Sequence, residues 1–208
     1  MKHYLCKVYR DLSDYFITYL DKSKEFLMKL TVRKLQLNDI EKIVDYFVKA
    51  DKEYLLRMGA DKSKLPKREK WIKKLEFEYN KTYEKKEFYY IIWLIDNLPV
   101  GHSNINKINF GKDATMHLHL WKNDKRKKGL GLSFLKLTIP YFFKYFELEK
   151  IICEPYSKNI APNRVLEKLG FEFVRTYETT PGWINFYQTV NRYELKHEKF
   201  RLLKLKRI

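Results

Sequence analysis

The stretch from Met116 to Gly131 reads MHLHLWKNDKRKKGLG and carries two groups of chemically useful residues. His117 and His119 alternate with apolar residues, and a run of cations then leads to Gly129 and Gly131. Paired imidazoles suit metal binding or proton transfer, whereas cations beside glycines suit contact with phosphate. The stretch therefore suggests a metal site, a nucleic-acid contact or a site for a phosphate-bearing cofactor.

The second half of the stretch has the composition of an anion-binding loop. It lies between a predicted strand and a predicted helix, where glycine lets the backbone approach a ligand and the first N–H groups of the helix point at anions. The third glycine of the dinucleotide fingerprint is missing, so this loop alone does not identify its ligand. The residues that carry the pattern are Arg126, Lys127, Lys128, Gly129, Leu130 and Gly131.

A second motif begins at Asn159 and reads NIAPNRVLEKLGF. It follows a short predicted strand that ends near Glu154, and its helix is expected to stop at Gly170. The two motifs in this order resemble the GCN5-related N-acetyltransferase (GNAT) superfamily. The likeness is closest in style to its ribosomal-protein N-terminal acetyltransferase (RimJ/RimL-like) branch and covers roughly residues 30–195.

The resemblance implies acetyl-CoA as co-substrate, no metal, and direct attack of a primary amine on the thioester in a ternary complex. Backbone N–H groups of the glycine loop would hold the pyrophosphate, and the strand before it would hold the pantetheine arm. The acceptor stays open between a protein N-terminus and a small amine. The expected cofactor-binding residues are His119, Leu120, Trp121, Arg126, Lys127, Lys128, Gly129, Leu130, Gly131, Leu132, Asn159 and Asn163.

The resemblance also implies a proton acceptor on the strand before the glycine loop, where this sequence has His117 and His119. Histidine titrates near neutral pH, which suits a general base. Glu154 is expected to assist the base or bind the substrate ammonium, with a plain surface carboxylate as the alternative. The residues expected to contact the acceptor are His102, Asn104, Glu154, Trp183 and Asn185.

The general acid of the family has no counterpart at its usual position. Many members have a Tyr where this sequence has Leu166, and the related branch often has a Ser where it has Pro162. Tyr156 is the nearest substitute as the acid, and a structural tyrosine is the alternative.

Strand periodicity predicts that the histidines belong to a polar stripe. The preceding strand places three further polar residues on one face: His102, Asn104 and Asn106. A turn centred between Gly111 and Lys112 would pair Asn106 with His117 and Asn104 with His119, and a slip of one residue would destroy the stripe. The stripe has three interpretations: the lining of an acceptor site, a solvated polar face, or a zinc site that lacks a complete ligand set.

The composition restricts the class of protein. The chain has 208 residues, of which 45% are hydrophobic, enough to bury the core of one domain. Its two cysteines lie far apart, its longest apolar run (Phe88 to Ile95) is too short to span a bilayer, and no secretory signal is visible. These features predict a cytoplasmic protein without a membrane partner, as a monomer or a homodimer.

The formal net charge of +17 keeps a second class of function open. Such a charge attracts anionic partners, although a lysine-rich genome would raise it without a selected partner. The alternative function is a non-catalytic module with the same fold and a basic surface for RNA or ribosomes. An amine substrate, small molecule or peptide, is the favoured partner, and a nucleic-acid or ribosome contact is the less favoured one.

The predicted elements run in the order strand, two helices, three-strand meander, helix, strand, helix and two strands. This order predicts an α/β (α+β) fold with a GNAT-like mixed, mostly antiparallel central sheet flanked by helices on both faces. Pro140 is expected to kink or break the helix from Leu130 to Phe146. Residues 1–29 are expected to form an N-terminal extension or an extra helix, 30–195 the acetyltransferase domain, and 196–208 a basic tail, either a solvated helix or a disordered end.

Overall fold

The structure, a computed structural model, describes residues 6–10, 15–21, 26–121 and 129–205. Its strands are β1 (Cys6–Arg10), β2 (Tyr15–Asp21), β3 (Phe26–Lys34), β4 (Phe88–Ile95), β5 (Leu98–Asn109), β6 (Asp113–Leu120), β7 (Lys150–Cys153), β8 (Glu172–Thr179) and β9 (Gln188–Lys196). Its helices are α1 (Ile40–Val48), α2 (Lys52–Met58), α3 (Arg68–Tyr79), α4 (Leu130–Phe146), α5 (Ile160–Leu169) and α6 (His197–Leu205).

All of the described strands belong to one sheet, in the spatial order β1-β2-β3-β4-β5-β6-β7-β9-β8. Only β6 and β7 run parallel among the described neighbours, and the other pairs are antiparallel. The predicted fold class is therefore confirmed: a mixed, mostly antiparallel sheet flanked by helices.

Two hydrophobic cores cover the two faces of the sheet. Alternation along β4 explains why its apolar run is unbroken, because Ile91 and Trp93 enter the core beneath α4 while Tyr90 and Ile92 enter the core beneath α1 and α3. The Trp93 indole donates to Thr138 Oγ1 of α4 at 2.9 Å, which satisfies its only buried donor.

The parallel pair is short, and this shapes the site. Its register joins β6 and β7 from Asp113 and Lys150 as far as Thr115 and Ile152. Strand β7 ends at Cys153, whereas β6 continues to Leu120 beside β5. The two neighbouring strands therefore part, and a gap opens along the second half of β6.

A β-bulge sets the register of β5 against β6. The pairing shifts between Asn106 and Asn109, where β5 has one more residue than β6, and Lys107 has a φ of 47°. Asn104 consequently pairs with His117 and His102 with His119, so the predicted pairing was wrong by two residues. A shift of two residues keeps every side chain on its face, and the stripe therefore survives.

The two ends of the chain differ from the prediction in different ways. An extra helix within residues 1–29 was wrong: β1 pairs with β2, and β2 pairs with β3, which extends the sheet beyond the predicted domain boundary. At the C-terminal end the tail begins as helix α6, where the ring of Phe200 lies 5.3 Å from that of Phe143.

Two helices also differ from their predicted form. Helix α4 continues through Pro140 without a break, and a separate helix α2 follows α1 where none was predicted. No helix in the described ranges is long and apolar enough to cross a membrane.

Candidate active site

The polar stripe of β5 and β6 is buried beneath helices α1 and α3. His102 is fully buried and Asn104 is 7% exposed, while His117 and His119 are half-buried. Phe47 of α1 packs on the stripe, with its ring 5.0 Å from that of His119. The solvated-face interpretation is therefore wrong, because the helices α1 and α3 cover this part of the sheet.

One cavity unites most of the residues singled out in the sequence. Its wall combines the stripe, the end of β7, the start of the Asn159 motif and the β8–β9 connection. The lining includes all of the predicted catalytic and acceptor-contact residues, namely His102, Asn104, His117, His119, Glu154, Tyr156, Trp183 and Asn185, together with Asn159.

His102 is held in a single neutral form. The Trp121 indole Nε1 donates to His102 Nδ1 at 2.8 Å, which leaves the proton of the neutral ring on Nε2. Burial, and to a smaller extent the neighbouring His117, lowers the pKa of His102 to about 3. His102 is therefore an uncharged hydrogen-bond donor at neutral pH.

His117 is anchored from the opposite side of its ring. Its Nε2 lies 3.1 Å from Asn106 Oδ1, an acceptor, so Nε2 carries the proton and Nδ1 keeps the lone pair. Burial and the charge of Lys107 lower the pKa of His117 to about 4, against the opposing effect of the Glu154 carboxylate. At neutral pH this imidazole can accept a proton.

Glu154, at the end of β7, is held by a charge network. Its Oε1 accepts from Arg192 Nη1 at 2.8 Å and from the Tyr177 hydroxyl at 2.5 Å. Arg192 also donates to Glu194 through Nε and Nη2. Burial alone would lower the pKa of Arg192, but its hydrogen bonds to the two carboxylates raise it. Arg192 therefore balances the charge of Glu154 beside the cavity.

His119 occupies a more aromatic environment than His117. Its ring centroid lies 4.9 Å from that of His102 and 5.6 Å from that of Tyr46. The two histidines predicted as alternative bases thus differ: His117 interacts with Asn106 and the Glu154 charge, whereas His119 lies among rings.

The positions that lack the usual acid also line the cavity. Leu166 and Pro162 are part of its wall, as is the half-buried Tyr156, whose ring lies 5.8 Å from that of Phe186. The Cys153 thiol donates to the Met116 carbonyl at 2.9 Å where β6 and β7 part, and burial raises its pKa. A buried thiol of this kind is inert.

The second motif orders the loop after β7. Asn163 Nδ2 donates to the carbonyls of Tyr156 and Asn159, at 3.2 and 2.8 Å, and its Oδ1 accepts from Asn191 at 2.8 Å. These bonds use both ends of the Asn163 amide. They favour a positioning role for Asn163 over the predicted contact with the cofactor.

The β8–β9 connection closes the cavity against α2. Asn185 Nδ2 donates to the Gly59 carbonyl at 2.7 Å, so this amide fixes the connection instead of reaching freely into the cavity. Trp183 is 45% exposed at the rim, and its ring lies edge-on to that of Trp71, 5.3 Å away. Trp183 thus remains positioned to contact a substrate.

The glycine loop ends at the first residue of α4. Arg126, Lys127 and Lys128 lie outside the described residues. Gly129 has a φ of 74°, a conformation that glycine adopts at low cost, and α4 starts at Leu130. A Cβ placed on Gly131 would meet no atom within 4 Å. The fold therefore requires the glycine at 129, whereas at 131 a glycine leaves room beside the start of the helix.

The backbone of β6 turns the main-chain groups of every second residue toward the gap. The Met116 carbonyl faces β7, so alternation turns the main-chain groups of Leu118 and Leu120 to the same side. The Trp121 amide instead donates to the Val100 carbonyl of β5 at 2.8 Å. This N–H is therefore already used within the sheet, and the expected contact of Trp121 with a pantetheine arm stays a prediction.

Sequence reasoning missed several contributors to the site. Arg192 and Tyr177 come from β9 and β8, and only the pairing of these strands brings them to Glu154. Phe47 and Trp71 lie at the helical spacing that is typical of core residues, so the sequence alone does not mark them as lining a cavity. No group of three or more metal-ligating side chains occurs within the described ranges.

The acetyltransferase (GNAT) domain family matches residues 29–172 of the chain. No curated protein sequence matches this chain. Among solved structures, a ribosomal L7/L12 α-N-protein acetyltransferase, RimL, in complex with coenzyme A has a TM-score of 0.65 at 13% identity, covering 93% of this chain and 99% of that one.

Two further solved structures are similar to the same extent. Spermidine N-acetyltransferase from Vibrio cholerae, with coenzyme A and spermine, has a TM-score of 0.65 at 19% identity, covering 83% of this chain and 98% of that one. An aminoglycoside acetyltransferase with coenzyme A and kanamycin has a TM-score of 0.65 at 16% identity, covering 84% of this chain and 99% of that one. Likenesses at such low identity establish the fold.

Proposed function

Since the chain belongs to the GNAT acetyltransferase family, we propose that it transfers the acetyl group of acetyl-CoA to a primary amine by direct attack in a ternary complex. One observation carries the proposal: the histidine stripe and the gap between β6 and β7 belong to one cavity. A thioester in the gap and an amine among the histidines could therefore meet.

The residues around the gap fit acetyl-CoA. The start of α4 offers backbone N–H groups to a pyrophosphate, and the room beside Gly131 lets the phosphates approach. The main-chain groups of Leu118, on the side of β6 that faces the gap, would pair with an amide of a pantetheine arm. Acetyl-CoA supplies the acyl carbon that the amine attacks.

His117 is the best candidate for the base. As the C–N bond forms, the amine nitrogen becomes strongly acidic, so an imidazole with a low pKa is basic enough to take its proton at Nδ1. The Glu154 carboxylate then stabilises the imidazolium. His119, which lies among rings, has the role of shaping the acceptor site.

Tyr156 is the candidate acid. When the C–S bond breaks, the sulfur of the leaving group needs a proton, and Tyr156 is a phenol in the wall of the cavity beside the end of β7. Leu166 and Pro162 cannot supply one. The amine attacks in its neutral form, after its ammonium has lost one proton to solvent, and the C–N bond forms as the C–S bond breaks. The products are an acetamide and a thiol; His117 then returns its proton to solvent, and Tyr156 regains one from it.

Two measurements test the proposal. Isothermal titration calorimetry measures coenzyme A binding, and a thiol-release assay with a panel of amines measures transfer. We expect His117→Asn to lower kcat by about 100-fold, the usual effect of losing a general base, and Tyr156→Phe to lower it less. Lys73→Gln, on the exposed face of α3, is the control.

The outcomes separate the roles. Full activity in His117→Asn would remove His117 as the base, and a large loss in His119→Asn alone would transfer that role to His119. A protein that neither binds coenzyme A nor releases thiol with any amine would refute the enzyme proposal and leave the non-catalytic binding module.

A further inference from the structure

One of the residues that line the cavity has an uncommitted, buried hydrogen-bond donor. His102 lines the cavity, and its Nε2 has no hydrogen-bond partner within the described residues, although the side chain is fully buried. The bond from Trp121 holds Nδ1, so Nε2 must carry the proton. A buried N–H without a partner raises the free energy of the folded protein. A ligand oxygen that accepts a hydrogen bond from it removes this cost, so the N–H favours ligands that have such an oxygen.

The charges around the cavity argue against a polycation. Among the described residues that line it, Glu154 is the one carboxylate and Lys74 the one ammonium. Arg192 already pairs with Glu154 at 2.8 Å. A substrate with several ammonium groups would find no further carboxylate in this wall, and it would approach a chain with a formal net charge of +17.

The rest of the wall is largely apolar and includes several aromatic rings. Phe47, Trp71, Tyr90 and Trp183 contribute rings from α1, α3, β4 and the β8–β9 connection. Such rings favour an apolar or aromatic body. The pairing along the stripe adds a length: His102 and His117 are diagonal neighbours on the paired strands, and such positions lie about 7–8 Å apart.

We propose that the acceptor is a monoamine with an apolar or aromatic body and a carbonyl oxygen near the amine, and that His102 Nε2–H selects this oxygen. The inference rests on the proposed acetyl transfer, because the amine must reach His117. Trp121 is then a positioning residue: it fixes the tautomer of His102 and does not itself need to touch the substrate.

A pair of substrates tests the selection of the oxygen. Phenylalaninamide and phenethylamine share a ring and an amine, but only the first has the carbonyl. The measured quantity is the ratio of their kcat/KM values, and comparing this ratio between variants cancels the intrinsic reactivity of each amine. Spermidine is the polycationic comparison.

We expect His102→Leu to lower this ratio about 10-fold or more, because a hydrogen-bonding site rejects analogues that lack the bonded group. His102→Gln keeps an N–H donor and should retain much of the ratio. Trp121→Phe keeps the ring, removes the tautomer lock and should give an intermediate ratio. Lys73→Gln, outside the cavity, should leave the ratio unchanged.

Two readouts do not depend on turnover. In ¹⁵N spectra, His102 should show the Nε2–H tautomer in the wild-type protein and a mixture in Trp121→Phe. Calorimetry on the protein with coenzyme A should show that phenylalaninamide binds more tightly than phenethylamine, and that His102→Leu removes the difference.

Each contrary result has its own meaning. An unchanged ratio in a folded His102→Leu, or a preference for spermidine, would overturn the inference while acetyl transfer stands. The same holds if coenzyme A binds but phenylalaninamide does not. Loss of both coenzyme A binding and acetyl transfer would instead refute the proposed function.

Discussion

Lowering the pH from 7 to 5 should destabilise this protein through His102 and His117, whose pKa values are strongly lowered in the folded chain. The pKa of His102 is about 3 and that of His117 about 4 in the folded chain, chiefly because burial disfavours their charged forms. An unfolded histidine has a pKa near 6.5. The unfolded chain therefore binds more protons below pH 6.5, and stability falls with pH until each folded pKa is reached.

The size of the effect follows from these values. At pH 5 an imidazole with a pKa of 6.5 gains about 2 kcal/mol from protonation, whereas one with a pKa of 3 or 4 gains almost nothing. Together, His102 and His117 should thus lower the free energy of unfolding by about 4 kcal/mol when the pH falls from 7 to 5. That is a large share of a typical total of about 5–15 kcal/mol.

Urea denaturation at the two pH values measures this cost. Carboxylates with lowered pKa, such as Glu194, lose their contribution only below their ordinary value of 4.5, so the chosen window isolates the histidines. His102→Gln should reduce the difference between the two pH values by about 2 kcal/mol. Asn104→Ala is the matched control, because it changes the same cavity without removing a titrating group.

Equal stability of the wild-type protein at pH 7 and pH 5 would contradict this expectation. An equal change of the pH dependence in His102→Gln and Asn104→Ala would contradict it as well. Either result would mean that the stripe is hydrated enough to titrate near pH 6.5, contrary to its burial beneath α1 and α3.

Three further outcomes are expected. Gly131→Ala should stabilise the free protein by about 0.5–1 kcal/mol in a thermal melt, since alanine favours helix and its Cβ meets nothing, yet should weaken coenzyme A binding in calorimetry. Arg192→Gln should lower the free energy of unfolding, measured by urea denaturation, by about 3 kcal/mol, because it leaves the buried charge of Glu154 without its ion-pair partner. Gly59→Ala should cost at least about 2 kcal/mol in the same assay, because φ is +83° and the new Cβ would clash with the Gln188 amide.

The sequence was most informative where a local pattern suffices. Continuous apolar residues set the bounds of β4 and α4, and glycine at 129 and 170 marked the start and the end of helices. Two motifs at a characteristic spacing led to the family, and period-2 alternation placed the histidines on one face. Each of these depends on residues that are close together in the chain.

What the sequence could not supply depends on distant segments. The bulge at Lys107 decided the pairing of Asn104, and no residue type there announces a positive φ. Glu154 meets Arg192 only because β7 pairs with β9. Whether the stripe faced water depended on where α1 and α3 pack, which neither strand of the stripe encodes.

The burial of the histidines beneath α1 and α3 has two consequences. Burial makes the histidines costly in acid, but it also keeps them uncharged at pH 7, where an imidazole with a pKa of about 4 is protonated in only about 0.1% of molecules. An imidazolium would repel an approaching ammonium, whereas a neutral ring accepts a hydrogen bond from it. The loss of stability expected at pH 5 and the ability to receive an amine at pH 7 therefore have one cause, the packing of α1 and α3 on β5 and β6.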